Sequence, residues 1–104
     1  MFKSWIKNVN NQYTKYKIPF LKDSYFIHWR PHSRTIIHNH NDKNCEFIVF
    51  QYKLYECLYT EKSLSSLYLS RELEPLKKYN VKKDDYHQML NLDKKEVWSY
   101  HKYY

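Results

Sequence analysis

Glycine is absent from this chain of 104 residues, and so is alanine. Turns that usually take glycine at positive φ must therefore use asparagine, aspartate or lysine, at some conformational cost. Two cysteines are too few for a disulfide scaffold, so we expect a reducing compartment, the cytoplasm. No apolar run approaches the roughly 20 residues of a membrane-spanning helix, and residues 1–11 are too polar for a signal peptide. We therefore expect no membrane association.

Aromatic side chains and lysines are abundant instead. Aromatic residues make up 19% of the chain, with 12 tyrosines, so the core must be built largely from rings. The net charge of +7 would suit a nucleic-acid-binding domain, which predicts strongly salt-dependent binding. The lysines, however, occur as scattered pairs beside acids and tyrosines, with no single basic helix. We therefore do not expect nucleic acid as a partner.

The pattern along the chain predicts a single all-β domain that follows a short N-terminal segment. Residues 1–18 are predicted to be helical or irregular, because they carry one apolar stripe at helical spacing. Residues 19–104 contain short aromatic and β-branched runs at spacings of about ten residues, which indicate a sandwich or barrel. The predicted strands are 24–29, 35–40, 46–52, 54–59, 67–69, 76–81, 86–90 and 96–103.

A His-x-His pair is the most informative motif. His38 and His40 would point to the same side of a predicted strand, because side chains alternate along a strand. His87 lies in a later predicted strand and supplies a third imidazole. A pair of histidines and one distant histidine can hold a single transition metal on a β scaffold, and imidazole suits Fe, Zn, Cu and Ni. The residues alone do not determine which of these metals would bind.

The order and spacing of several motifs resemble the cysteine dioxygenase family of the cupin superfamily, whose members are small double-sheet β-barrels, or jelly rolls. Many cupins place a glutamate shortly after the His-x-His pair, whereas this chain has Cys45 in that stretch. The resemblance covers residues 13–103. The matching residues are Tyr13, Thr14, Lys15, His28, Trp29, His38, Asn39, His40, Asp42, Cys45, Gln51, Leu54, Glu56, Tyr59, His87, Asn91, Ser99, His101 and Tyr103.

This resemblance implies one Fe(II) per chain, with His38, His40 and His87 as its ligands. Three neutral imidazoles leave the full charge of the ion for an exogenous thiolate. The implied activity is that of a thiol dioxygenase, which uses O₂ to convert a small thiol, L-cysteine first, to its sulfinic acid. The partners are then a small thiol and O₂, and we expect a monomer.

The resemblance also implies roles for residues outside the metal ligands. Tyr103 would point its hydroxyl at substrate and oxygen, and Ser99 and His101 would hydrogen-bond in sequence to orient it. The three residues lie at alternate positions, which places them on one face of a strand. Cys45 would lie beside Tyr103, and in some family members these two residues are joined as a thioether. Lys15 would hold the substrate carboxylate.

Departures from the family support a second hypothesis. Lys15 stands where the family usually has arginine, and lysine cannot form a bidentate pair with a carboxylate. Tyr52 replaces a family glycine, and the family continues beyond the position of Tyr104 with a proline-containing segment that helps to close the site. The alternative is a catalytically degenerate cupin that binds a metal or small ligand as a sensor or interaction module.

Several residues have simpler interpretations. Free cysteines often pack as small hydrophobic residues, which is one interpretation of Cys45 and our preferred interpretation of Cys57. His28 and His32 have no role in the resemblance, and we assign them to the surface or to packing. Tyr103 is also one aromatic residue in a tyrosine-rich chain, and only its position two residues after His101 argues for a functional role.

Overall fold

The computed structural model describes residues 13–40 and 42–104, which form eight strands and one short 3₁₀ helix, Leu64–Ser66. The strands are β1 (Tyr13–Lys17), β2 (Ser24–Trp29), β3 (Cys45–Val49), β4 (Leu54–Tyr59), β5 (Leu67–Leu73), β6 (Lys78–Val81), β7 (Tyr86–Leu90) and β8 (Val97–Tyr103). The prediction of an all-β chain is confirmed for the described residues. No helix among them is long and apolar enough to cross a membrane.

Two antiparallel sheets enclose the core. One has five strands in the order β1-β2-β8-β3-β6, and the other has three in the order β5-β4-β7. Alternating burial along β3, where Cys45, Phe47 and Val49 are buried, shows that one face of this strand points inward. Trp29 and Phe47 from the larger sheet pack in one cluster with Leu54 from the smaller sheet. The predicted double-sheet architecture is therefore confirmed.

The N-terminal prediction is wrong where it can be compared. Residues 13–17, which we assigned to a helical or irregular segment, form β1 and pair with β2. The ring of Tyr13 stacks on Trp29 with centroids 5.0 Å apart, so the strand is fixed by a contact distant in sequence. The apolar stripe on which the helix was predicted lies outside the described residues. It comprises Phe2, Trp5, Ile6 and Val9.

Residues 35–40 are also not a regular strand. Instead, the segment from Arg34 to His38 meets β7 at isolated antiparallel bridges, Arg34 with Leu90 and His38 with His87. Backbone hydrogen bonds join His38 and His87 in both directions, with N···O distances of 3.0 and 2.8 Å. These two bonds hold the His-x-His segment along the β7 edge of the smaller sheet.

Turns without glycine place other residues at positive φ. Among the described residues these are Asp23, His32, Tyr52 and Leu76, with φ between 52° and 63°. Only Asp23 is of a type that we expected, and the others carry full side chains in a region that favours glycine. The absence of glycine is therefore met by backbone strain at specific turns.

We predict that Leu76→Gly stabilises the protein by about 0.5–1 kcal/mol, because relief of the left-handed strain exceeds the added chain entropy. The Leu76 side chain is 74% exposed, so little burial is lost, and its amide bond to the Val49 carbonyl (2.7 Å) is retained. Urea unfolding measures the change. Leu92→Gly, at an exposed leucine without positive φ, is the control and should not stabilise. A less stable Leu76→Gly variant would contradict the strain argument.

Candidate metal centre

Three imidazoles converge between the sheets. The candidate ligand atoms of His38, His40 and His87 all lie within 4.8 Å of one another. The Nε2 atoms of His40 and His87 are 3.3 Å apart, and the ring centroids of His38 and His87 are 4.6 Å apart. The His38–His87 backbone bridge fixes this convergence, and the cluster has the donor set of a metal ion held by three imidazoles.

Hydrogen bonds set the tautomers of two of these rings. Nδ1 of His38 lies 2.8 Å from the Ile36 carbonyl, which can only accept, so this nitrogen carries the proton. Nδ1 of His87 likewise donates to Oε2 of Glu56 at 2.8 Å. In both rings Nε2 is therefore left with its lone pair for a ligand. In His40, Nδ1 is buried without a partner among the described residues.

Burial keeps His38 and His40 neutral. Desolvation, reinforced by the neighbouring His87, lowers the pKa of His38 to about 4. The same causes, with His38 as a further neighbour, lower the pKa of His40 to about 3. Metal ligands must be deprotonated, and both imidazoles meet this requirement at neutral pH. The converging ligand atoms, the fixed tautomers of His38 and His87 and the neutral rings of His38 and His40 therefore fit a divalent transition metal.

Lys15, Cys45 and Tyr103 form a second group beside the histidines. Cys45 and Tyr103 are direct cross-strand partners on β3 and β8, and the Tyr103 ring lies 5.0 Å from that of His40. Nζ of Lys15 donates to the Tyr103 hydroxyl at 3.0 Å and lies over the rings of Tyr103 and Tyr25, at 4.5 and 4.4 Å from their centroids. The ammonium therefore sits between two tyrosines.

Burial also keeps the neighbouring thiol of Cys45 and phenol of Tyr103 protonated. It raises the pKa of the Cys45 thiol to about 12, although Lys15 opposes the shift. Burial likewise raises the pKa of Tyr103 well above its usual value and lowers the pKa of Lys15. At neutral pH the thiol and the phenol are therefore uncharged.

A hydrogen-bonded chain runs behind this group. Nε1 of Trp29 donates to Oγ of Ser99 at 2.9 Å, and Oγ of Ser99 lies 2.7 Å from Nε2 of His101. Because tryptophan only donates, the serine proton is free to point to His101, which places the remaining imidazole proton on Nδ1. That nitrogen faces the sulfur of Cys45 at 3.9 Å. The resemblance led us to expect that His101 orients Tyr103. In the structure, Nδ1 of His101, the nitrogen that does not contact Ser99, faces Cys45 instead.

A cavity of about 220 Å³ opens onto the histidines. Its walls include apolar residues such as Ile27 and Met89, together with Lys15 and Tyr103, and none of the described acidic side chains lines it. A second, more open cavity of about 300 Å³ shares Lys15, His40 and Tyr103 with the first. The inner cavity therefore presents a cation and neutral ligand atoms, which favours an anionic ligand.

The predicted site residues lie close together, and the sequence reasoning missed others. Trp29 and Glu56 belong to the resemblance but received no role, and Arg71 was not singled out. The signal for Glu56 was available, because it lies between the inward-facing Leu54 and Leu58 at alternate positions of one strand. His28 lies away from the cluster, with Nε2 2.5 Å from Glu96.

Comparisons with known proteins identify the fold. No family model matches the chain, and no curated protein matches its sequence. The Drosophila melanogaster CENP-C cupin domain superimposes with a TM-score of 0.74 at 8% identity, covering 95% of this chain and 74% of that chain. The Schizosaccharomyces pombe Cnp3 cupin domain gives 0.73 at 10% identity, covering 99% and 66%. The chain has a cupin fold.

An enzyme is also among the cupins that this chain resembles. Oxalate oxidase in complex with glycolate superimposes with a TM-score of 0.65 at 14% identity, covering 89% of this chain. The chain spans 42% of the length of that enzyme. None of these cupins is a cysteine dioxygenase, and identities this low establish the fold alone.

We predict that the metal-free protein loses stability on acidification below about pH 6.5. The ordinary histidine pKa of 6.5 applies to the unfolded chain, whereas folding lowers the values of His38 and His40 to about 4 and about 3. Between these limits the unfolded state binds more protons, so the free energy of unfolding decreases as the pH falls. Urea unfolding from pH 7 to pH 4 measures the slope.

The His40→Asn variant should show a shallower slope, and His32→Asn, at an exposed histidine outside the cluster, is the control. Equal slopes in the wild type and His40→Asn would contradict the prediction.

Proposed function

We propose that the protein is an iron-dependent thiol dioxygenase that adds both atoms of O₂ to a small thiol and yields its sulfinic acid. L-cysteine is the first candidate substrate. One observation carries the proposal: three converging imidazoles share a cavity with Lys15 and with Tyr103, the cross-strand partner of Cys45. This is the combination that the resemblance to cysteine dioxygenases implies.

The charges of the cavity suit a thiol that also bears a carboxylate. Ferrous iron, when bound by His38, His40 and His87, would supply the redox chemistry and the sites at which sulfur and oxygen meet. Imidazole ligands add no negative charge to a bound metal, so the cavity would keep the charge of the ion and that of Lys15. An anionic thiolate and a carboxylate would balance both.

The residues of the chain bind and orient the substrate. Lys15 is positioned to hold the carboxylate, because its ammonium reaches the cavity with only Tyr103 as a hydrogen-bond partner among the described residues. The protonated hydroxyl of Tyr103 offers a hydrogen bond to the reacting atoms beside His40. Apolar side chains in the cavity wall, such as Ile27 and Met89, lower the local polarity, which strengthens each of these polar contacts.

A second candidate is a cupin that takes a metal or small ligand without oxidising thiols. The CENP-C and Cnp3 cupin domains superimpose with higher TM-scores, 0.74 and 0.73, than oxalate oxidase at 0.65. A further similar structure, with a TM-score of 0.75, is that of Drosophila melanogaster CENP-C bound to CAL1. An interaction role for this chain would be consistent with that similarity.

We predict that protein produced with iron carries about one Fe per chain and consumes O₂ only when a thiol is added. His87→Ala should lose both properties, because it removes a ligand, whereas His32→Ala should retain both. Metal analysis and an oxygen electrode measure the two quantities, with mass spectrometry for the sulfinic acid.

Iron-loaded protein that oxidises no small thiol would overturn the enzymatic proposal and favour the second candidate. Folded protein that takes up no iron would overturn the metal centre as well.

We predict that Lys15→Met raises the KM for L-cysteine at least roughly 10-fold, a loss of about 1.4 kcal/mol in binding. The KM for cysteamine, which lacks the carboxylate, should change little, because Lys15 has no group to bind in it. Steady-state oxygen consumption measures both. An equal loss for the two thiols would argue against a carboxylate site at Lys15.

A further inference from the structure

We infer that Glu56 and Arg71 are positioning residues for the metal centre, which orient His87 and make it the strongest of the three ligands. This inference rests on the metal site of the proposed function. The contacts run from Arg71, which is partly exposed, through Glu56 to His87 in the histidine cluster.

Three neighbouring strands build this chain of contacts. Glu56 on β4 is paired in register with Arg71 on β5, and β7, which carries His87, pairs with the other side of β4. Oε1 of Glu56 lies 2.6 Å from both Nε and Nη2 of Arg71. Oε2 lies 2.8 Å from Nδ1 of His87. Each carboxylate oxygen therefore has its own partner.

Burial makes both contacts necessary. Glu56 is 0% exposed, and an uncompensated carboxylate in that position would be strongly destabilising. Arg71 supplies the opposite charge while its side chain remains 33% exposed. Its guanidinium also lies 5.2 Å from the centre of the Tyr79 ring, which fixes the direction from which it approaches Glu56.

A carboxylate behind a ligating imidazole changes that ligand. It fixes the tautomer and increases the electron density at the opposite nitrogen, and loss of such a partner typically weakens metal binding roughly 10- to 100-fold. Here Glu56 acts on His87 alone. Nδ1 of His38 donates to a neutral carbonyl, and Nδ1 of His40 has no partner in the described parts of the chain. The three ligands are therefore chemically unequal.

The inference predicts a specific effect of Glu56→Gln. The glutamine can still accept a hydrogen bond from His87, so the ring keeps its place, but the negative charge is lost. We expect Fe(II) and Co(II) to bind roughly 10- to 100-fold more weakly in competition with a chelator. The Fe(III)/Fe(II) potential should become more positive, because the ferric ion loses more stabilisation than the ferrous ion.

Two further variants separate positioning from folding. Arg71→Lys keeps a cation beside Glu56 and should bind metal within about threefold of the wild type. Glu72→Gln is the matched control, because Glu72 is the next residue on β5 but is exposed and paired with Lys53 at 3.1 Å. It should change neither affinity nor potential. Thermal unfolding of each metal-free variant shows whether the fold is retained.

If Glu56→Gln does not fold, the double variant Glu56→Gln/Arg71→Met, which removes both charges together, replaces it and should show the same losses. Folded Glu56→Gln, or the double variant in its place, with unchanged affinity and potential would overturn the inference and leave the metal site intact. A wild type that binds no metal would overturn the proposed function and this inference together. A metal-binding wild type without thiol oxidation, with weaker binding in Glu56→Gln, would support the inference while overturning the enzymatic proposal.

Discussion

The double backbone hydrogen bond between His38 and His87 is the contact on which the centre depends. It joins a segment without regular secondary structure to β7. Additional backbone hydrogen bonds lengthen this contact, from Thr35 N to the Met89 carbonyl at 2.9 Å and from Asn91 N to the Ser33 carbonyl at 2.8 Å. Two histidines from one loop and one from a strand can converge only because these backbone bonds fix their relative positions.

Electrostatic compensation explains the surroundings of the histidines. Buried polar groups are tolerated when they are paired, and here Glu56 is paired at both oxygens while Ser99, His101 and Trp29 form their own chain. The cavity retains Lys15 as its cation, with no acidic side chain in the lining formed by residues 13–40 and 42–104. The site is thus prepared for an anion, and this property is shared by both candidate functions. The chemistry of the bound ligand distinguishes them.

The fold was largely predictable from the sequence because its strands carry strong local signals. Three strands, β2, β4 and β7, have the predicted bounds. Each is a short run that contains aromatic or aliphatic residues and is bounded by polar segments. β1 was missed because its lysines and tyrosines favour no clear period, and its pairing with β2 is a tertiary contact. Residues 35–40 were wrongly predicted to form a strand because their composition suits one. In the structure this segment forms only isolated backbone bridges.

The sequence by itself determined the donor types and their order: a His-x-His pair, a later histidine, and a terminal strand with Ser99, His101 and Tyr103 on one face. These follow from residue identity and the alternation of side chains, which need no partner. Tertiary structure alone decided that Glu56 meets Arg71 and His87, that His101 faces Cys45, and that Lys15 lies between two tyrosines. These contacts join distant parts of the chain, and local propensity carries no information about strand order or about which buried groups must compensate one another.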